Sequence, residues 1–292
     1  MPSLISSPII SSLVAASDSP LQGSVDDHAR RFVGIDRVYG TGALARAAAS
    51  HVVVVGIGGV GSWAVEALAR SGVGRITLID LDHIAASNIN RQVHALEATL
   101  GAAKVLAMAA RIEGINPACQ MVTIEEFIDE TNVAALIPAC DAVIDAIDNV
   151  RAKAALIAHC RQQGLRILTT GGAGGRLDPT QIQVVDLSRT TQDALASKVR
   201  ARLRKLYGFS RDPKKKFGVE CVFSPEQIRR PTGMLMEGDA ENENMCITKE
   251  VSADLDGSAG LACAGYGSSV AVTAGFGFAA AARVLAGILL AR

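Results

Sequence analysis

Short apolar runs alternate with longer helical stretches through the middle of this chain. The apolar runs are rich in β-branched residues and show no polar alternation, which is typical of strands covered on both faces of a parallel sheet. We predict strands at 51–56, 75–80, 119–124, 142–146 and 166–170, and helices at 60–71, 102–114, 132–139 and 151–163. The alternation predicts an α/β fold with a mainly parallel sheet covered by helices.

The character of the sequence changes after Gly175. Residues 181–186 predict another strand, 191–207 a basic helix, and 208–264 a loop-rich region with an acidic tract. We therefore expect a disordered extension at 1–28 and a single domain at 29–292. We expect three parts in this domain: a core at 29–190, a basic helix with a loop-rich insertion at 191–264, and a C-terminal helix at 265–292.

The apolar run at 261–290 is long enough to cross a membrane, and its only charge is Arg283. Much of it is glycine and alanine, which weakens its hydrophobic drive. A helix buried against a sheet or a dimer partner has the same pattern. We favour burial and expect no membrane contact.

Charge and cysteine content narrow the function classes. The chain has 29 Lys+Arg and 29 Asp+Glu, so any nucleic-acid binding must come from a local basic patch. Its six cysteines contain no CxxC pair, which argues against a disulfide framework and a four-cysteine zinc site. The N-terminal stretch lacks the basic residues of a secretory signal. We expect reduced thiols and a cytoplasmic location.

The first chemical motif is a glycine loop directly after the first predicted strand. It comprises Gly56, Gly58, Gly59 and Gly61, and it opens a helix. Such glycines let the backbone approach a phosphate, whose charge meets the helix N-terminus. An acid at the end of the second strand, Asp80, is placed to bind a ribose. This Rossmann-like pattern fits NAD, FAD, S-adenosylmethionine or ATP equally well.

The charged residues that follow favour ATP. Arg91 and Lys104 come after the glycine loop, and Asp148 follows a later strand. Hydride transfer needs no cations at a terminal phosphate, whereas adenylation places charge on the α-phosphate and on a leaving pyrophosphate. Arg91 and Lys104 can supply the countercharge. Asp148 is a candidate Mg²⁺ ligand, since Mg²⁺ takes oxygen ligands and often bridges phosphates.

With these motifs, the segment 31–175 resembles the ubiquitin-activating-enzyme-like adenylyltransferases. The resemblance implies a Mg-ATP site in a homodimer, in which Arg37 reaches the ATP of the partner subunit. It implies that Gly58 lies by the nucleotide, that Asp80 binds the ribose and that Lys104 contacts the phosphates. The remaining residues assigned to that site are Asp82, Ser87, Asn88, Arg91, Asp148 and Asn149.

Two branches of that family fit the rest of the chain poorly. Sulfur-carrier activators usually carry two CxxC pairs, and ubiquitin-type activators need a catalytic cysteine domain; this sequence shows neither. Cys221 and Cys246 are candidate thioester nucleophiles because they lie in the loop-rich region. The segment 218–224, however, reads as a strand or turn with a packed cysteine.

The segments 37–40, 56–63, 90–96 and 169–182 resemble the tRNA-modifying branch of the family, over nearly all of 30–290. This implies that ATP adenylates the threonine carboxylate of N6-threonylcarbamoyladenosine in tRNA. Attack within the same base then closes a ring and releases AMP. No enzyme thioester is needed, because the nucleophile is tethered.

A basic stretch offers the landing site that tRNA needs. The candidate phosphate contacts are Arg200, Arg204, Lys205, Lys214, Lys215 and Lys216. A basic helix that is exposed to solvent and binds no nucleic acid would have the same sequence pattern. Three other readings stay open: an activator of a ubiquitin-like or sulfur-carrier protein C-terminus, a nicotinamide-dependent oxidoreductase, and a non-catalytic nucleotide-binding scaffold. A sulfur-transfer partner from a cysteine desulfurase system is also left open.

Overall fold

A computed structural model describes residues 25–229 and 266–290. Its strands are β1 His51–Val55, β2 Arg75–Ile79, β3 Gln120–Ile124, β4 Ala142–Asp145, β5 Ile167–Thr170, β6 Gln183–Asp186 and β7 Glu220–Phe223. Its α-helices are α1 Val25–Phe32, α2 Gly34–Tyr39, α3 Ala43–Ala49, α4 Gly61–Arg70, α5 Lys104–Ile115, α6 Val133–Leu136, α7 Val150–Gln162, α8 Ala194–Leu206 and α9 Val270–Leu289. Short 3-10 helices lie at Ala86–Asn88, Glu97–Thr99, Pro179–Gln181 and Leu187–Arg189.

The seven strands form one sheet in the order β3-β2-β1-β4-β5-β7-β6. Only β6 is antiparallel to its neighbour, and every other pair is parallel. The order reverses direction between β1 and β4, so a crevice opens there at the carboxyl ends of the strands. Open α/β sheets bind ligands in such a crevice. The predicted α/β fold with a mainly parallel sheet is confirmed.

Apolar side chains cover both faces of the sheet. One cluster joins alternate residues of β1, such as Val52 and Val54, to the helices α3, α4, α5 and α9. The other joins Val53 and Val55 to α7 and α8. Because successive strand residues point to opposite faces, the unbroken valine run of β1 supplies both clusters.

The C-terminal helix α9 packs on α4 in the first of these clusters. Gly277 permits this contact, because a Cβ there would lie 2.5 Å from the carbonyl oxygen of Val60. Trp63 meets Phe278 edge to face, with ring centroids 5.7 Å apart. Within the described chain, α9 is the one helix long and apolar enough to cross a membrane, and 56% of its apolar window is buried. The helix is thus partly buried, by its contact with α4.

Three boundaries differ from the predictions. Helix α1 includes residues 25–28, which we placed in the disordered extension; the buried ring of Phe32 anchors it, and residues 1–24 lie outside the described residues. The segment 191–264 is not only helix and loop, because it contributes β7 between β5 and β6. The sequence indicated this element only as a strand or turn at 218–224, because a strand of four residues shows little pattern. Helix α9 begins at Val270 rather than at residue 265, and residues 230–265 lie outside the described part.

Candidate active site

A cleft of about 1060 Å³ lies over the carboxyl ends of the central strands. It is lined by eleven residues assigned to the nucleotide from the sequence: Gly56, Gly58, Gly59, Asp80, Asp82, Ser87, Asn88, Arg91, Lys104, Asp148 and Asn149. The fold therefore brings together residues from four separate segments. Two assigned residues, Gly61 and Arg37, do not line it.

The glycine loop has a distinct structural reason at each position. Gly56 has φ +87°, and a Cβ there would lie 2.8 Å from the carbonyl oxygen of Ala146. A Cβ on Gly61 would lie 1.7 Å from the carbonyl oxygen of Gly56, so Gly61 allows α4 to begin against the turn. Gly58 is different: its nearest contact would be a side-chain nitrogen of Gln92 at 3.9 Å. The space at Gly58 suits a close ligand rather than packing.

Asp80 holds the glycine loop from the next strand. Its carboxylate is buried and accepts hydrogen bonds from the backbone N–H of Ile57 at 2.6 Å and of Asp82 at 2.8 Å. Burial raises the pKa of Asp80, although the charge of Lys104 and these two donors act against that rise. The acid is thus fixed at the cleft wall, where its remaining lone pairs can accept from a ribose hydroxyl.

Lys104 begins α5 with its ammonium at the cleft. Its Nζ lies 2.7 Å from Asp82 Oδ2, with the lysine side chain 8% exposed and the aspartate side chain 53% exposed. The backbone N–H of Lys104 also donates to the carbonyl oxygen of Asp82 at 3.0 Å. A buried stem with an ammonium at the cleft can meet a phosphate oxygen.

Arg91 is held in place by its own loop. Its Nη1 donates to the carbonyl oxygen of Ser87 at 2.7 Å and to Asn90 Oδ1 at 2.9 Å. Trp63 Nε1 donates to the carbonyl oxygen of Arg91 at 2.9 Å. Asn88 Oδ1 accepts from the backbone N–H of Ala85, which closes the same loop. These contacts orient a cation on the glycine-loop side of the cleft.

Asp148 and Asn149 follow β4 and have different roles. Asn149 caps α7, because its Oδ1 accepts from the backbone N–H of Arg151 and Ala152. Asp148 is exposed at the cleft. No group of three or more metal-binding side chains occurs in the described chain. Mg²⁺ commonly uses one or two carboxylates together with substrate phosphates, so a single exposed Asp148 fits that mode.

A buried ion pair below the cleft was not predicted. Lys153 Nζ lies 2.8 Å from Asp145 Oδ2, and both side chains are almost fully buried. Thr169 Oγ1 donates to the same carboxylate oxygen at 2.6 Å, and the backbone N–H of Ile147 donates to Oδ1 at 3.2 Å. The network ties α7 and β5 to the end of β4, immediately before Asp148.

A second unpredicted pair lines the opposite half of the cleft. Arg176 Nη2 lies 3.5 Å from Asp193 Oδ2, with both side chains 1% exposed. Asp193 also accepts from the backbone N–H of Gly172 at 3.0 Å and caps α8 through Ala196. A Cβ on Gly171 would lie 2.0 Å from Asp193 Oδ2, so this glycine is required sterically. The only trace of this pair in the sequence is the run of glycines after β5, which contributed to the family resemblance alone.

The predicted tRNA contacts fall into two groups. Arg200 donates to Thr190 Oγ1, and burial lowers its pKa. Arg204 lies over the ring of Phe217 at 5.3 Å and donates to the carbonyl oxygen of Ser210. Both side chains are therefore partly used by the fold. The exposed members are Lys205, Lys214, Lys215 and Lys216.

The described cysteines do not have the features of nucleophiles. Cys221 is fully buried in β7, and burial raises the pKa of its thiol. Burial also raises the pKa of Cys119 and Cys140 to about 11 and that of Cys160 to about 12. A thioester role for Cys221 is unsupported because the thiolate is the reactive form. Cys246 lies outside the described residues.

Comparison with known proteins places this geometry in a family. The ThiF family profile matches residues 30–289. A tRNA threonylcarbamoyladenosine dehydratase of Haemophilus influenzae is 47% identical over 89% of this chain and 94% of its own length. The Escherichia coli protein of that name is 48% identical over 88% of this chain and 92% of its own.

A solved structure agrees with these sequence matches. The crystal structure of the E. coli dehydratase in complex with ATP superposes with a TM-score of 0.77 at 45% identity, covering 91% of this chain and 96% of that one. The family match spans the glycine loop, the cations of the cleft and the C-terminal helix. The chain therefore belongs to the ThiF family.

Proposed function

We propose that this protein is an enzyme that uses ATP to cyclise N6-threonylcarbamoyladenosine in tRNA with loss of water. The observation that carries the proposal is near full-length similarity to dehydratases of this name, at 47% and 48% identity. The site has the chemistry that the reaction needs: a glycine turn for phosphate, two cations beside it, and an exposed carboxylate.

The first step is adenylation of the substrate carboxylate. A carboxylate oxygen attacks the α-phosphorus of ATP, and pyrophosphate leaves. Gly58 lets the triphosphate approach the backbone, while Arg91 and Lys104 meet the charge on the α-phosphate and on the leaving group. Mg²⁺ would neutralise phosphate charge when bound, with Asp148 as its protein ligand. Asp80 would hold the ribose.

The second step is intramolecular. A nucleophilic atom of the threonylcarbamoyl group attacks the activated carbonyl and a ring closes. One proton of that group is released, and AMP leaves with the former carboxylate oxygen. The tethered nucleophile makes an enzyme thioester unnecessary. The buried state of Cys221 is consistent with such a route.

The direct test uses purified protein, ATP, Mg²⁺ and tRNA that carries the modified nucleoside. We expect digestion to nucleosides to show a mass lower by one water, with matching release of AMP. The same nucleoside unchanged, in a preparation that ATP stabilises thermally, would refute the proposal and favour activation of a protein C-terminus.

We also propose that the enzyme works as a homodimer with Arg37 acting in the partner's site. Arg37 is exposed on α2 and does not line the cleft of its own chain, which suits a role across an interface. The test is complementation: Arg37→Ala and Asp148→Asn should each be inactive. Mixing the two should restore activity, because a mixed dimer has one site with neither change. No recovery, in a mixture shown to exchange subunits, would contradict action in trans.

Exposed lysines are the proposed contacts to tRNA phosphates. The group Lys214, Lys215 and Lys216 forms no salt bridge within the described residues, and its charge is free for a polyanion. We also propose a cytoplasmic location. A partner from a cysteine desulfurase system remains part of the proposal, with binding by the purified desulfurase as its test.

A further inference from the structure

The cleft extends well beyond the residues assigned to ATP. Its second half is lined by the glycine turn after β5, by Arg176 and Asp193, and by the first turns of α8. Small-molecule pockets usually measure about 300–1,000 Å³. At about 1060 Å³ the cleft lies at the upper end of this range, and its lining continues past the residues assigned to ATP.

One cation of the basic helix faces this second half. Lys198 lines the cleft and is exposed. Three other cations of α8 have partners in the fold: Arg200 donates to Thr190 Oγ1, Arg202 pairs with Glu130 at 2.5 Å, and Arg204 lies over Phe217. Within the described residues, Lys198 forms no salt bridge and no hydrogen bond through its side chain. Its ammonium therefore has three donors available to a ligand.

The floor of this half carries a further positive group. Arg176 is buried at the cleft, and its Nε and Nη1 have no hydrogen-bond partner in the described chain. Asp193 pairs with its Nη2, and the acids Glu126, Asp129 and Glu130 also line the cleft. The donors that remain, on Lys198 and on Nε and Nη1 of Arg176, can meet an anion.

We propose that this half of the cleft binds the carboxylate-bearing side chain of the modified adenosine, with Lys198 contacting the carboxylate directly. The inference rests on the proposed function and names the residue that recognises its substrate. The Arg176–Asp193 pair is the positioning element, because it fixes Gly172 in the wall and caps the helix that carries Lys198. A carboxylate held there lies in the same cleft as the α-phosphate that it attacks.

The test compares two glutamine variants of one helix, Lys198→Gln and Lys205→Gln. Both remove one positive charge from α8, but only Lys198 lines the cleft. Kinetics would be measured with modified tRNA at saturating ATP-Mg²⁺, and unmodified tRNA of the same sequence would serve as a competitive inhibitor. Thermal melts with and without ATP-Mg²⁺ would establish that each variant folds and binds nucleotide.

We expect Lys198→Gln to lower kcat/KM by about 10-fold to 100-fold, mainly through KM, as for a lost charged hydrogen bond. Inhibition by unmodified tRNA should be unchanged within about threefold, since that RNA lacks the carboxylate. Lys205→Gln removes a proposed phosphate contact, so it should raise KM and weaken inhibition by unmodified tRNA by the same factor, and both changes should shrink in high salt.

Two outcomes would overturn the inference while the proposed function stands. In the first, Lys198→Gln keeps kcat/KM within threefold of the parent. In the second, it weakens inhibition by unmodified tRNA as strongly as it raises KM, which would make Lys198 a phosphate contact. Failure of the parent protein to convert the nucleoside would overturn the proposed function as well as the inference.

Discussion

Acidification should destabilise this protein through one buried histidine. His94 is 2% exposed, and neither ring nitrogen has a hydrogen-bond partner in the described part of the chain. Burial, with smaller contributions from the charges of Lys104 and Arg111, lowers its pKa from 6.5 to about 4. The imidazole is therefore neutral in the folded protein at neutral pH.

Proton linkage sets the direction in which the stability changes with pH. Between pH 6.5 and about 4 the unfolded chain protonates His94 while the fold does not, so the unfolded state binds more protons. The free energy of unfolding must fall as the pH falls through this window. At 1.36 kcal/mol per pKa unit the full effect is about 3 kcal/mol, of which about 2 kcal/mol is lost by pH 5.

Urea denaturation between pH 4.5 and 7.5 measures this effect. His94→Met removes the titrating group and retains a buried side chain of similar size, so its unfolding free energy should depend less on pH than that of the parent. The unfolding free energy of His94→Met minus that of the parent should be about 2 kcal/mol larger at pH 5 than at pH 7.5. His83→Gln, which removes an exposed imidazole, is the control. Parallel curves for the parent and His94→Met would refute the reasoning.

Three further changes test the fold and the site. Gly61→Ala should abolish the thermal shift by ATP-Mg²⁺, because its Cβ would collide with the backbone of Gly56. Gly58→Ala should melt like the parent and weaken only the stabilisation by ATP. Equal behaviour of the two variants would contradict the assignment of Gly61 to the turn and of Gly58 to the ligand. Lys153→Met should cost about 3 kcal/mol in urea denaturation by leaving Asp145 unpaired, and a cost below about 1 kcal/mol would show that the pair matters little. Replacing Lys214, Lys215 and Lys216 together by Glu should weaken tRNA binding and leave the thermal shift by ATP-Mg²⁺ intact. Loss of that shift would contradict a purely electrostatic role of these lysines.

The repeated βαβ pattern made most of the fold predictable. The first five strands were placed within about one residue at most ends, because continuous valine and isoleucine runs bounded by turns leave few alternatives. Strand β7 was predicted only as a strand or turn at 218–224, and helices α2 and α3 were missed. Their residues are few, and long-range packing rather than local pattern determines their structure.

The site was predictable only where a motif runs along the chain. Three glycines of the glycine loop, Arg91 and Lys104 follow one another in order and line one cleft. Asp145 with Lys153, and Arg176 with Asp193, were invisible because each pair unites residues from separate elements. Nothing in the sequence indicates which of many charged residues will be buried together.

Burial separates the cation that can act on a ligand from the one that supports the fold. Lys104 pairs with Asp82, whose side chain is 53% exposed, so water can solvate that carboxylate when a phosphate draws the ammonium away. Lys153 pairs with Asp145 in a site that water does not reach, and moving it would leave a buried charge at a cost of several kcal/mol. The two lysines have the same chemistry and similar distances to their partners. The exposed carboxylate of Asp82 leaves Lys104 able to turn to a phosphate, as we propose, whereas the buried carboxylate of Asp145 keeps Lys153 in place.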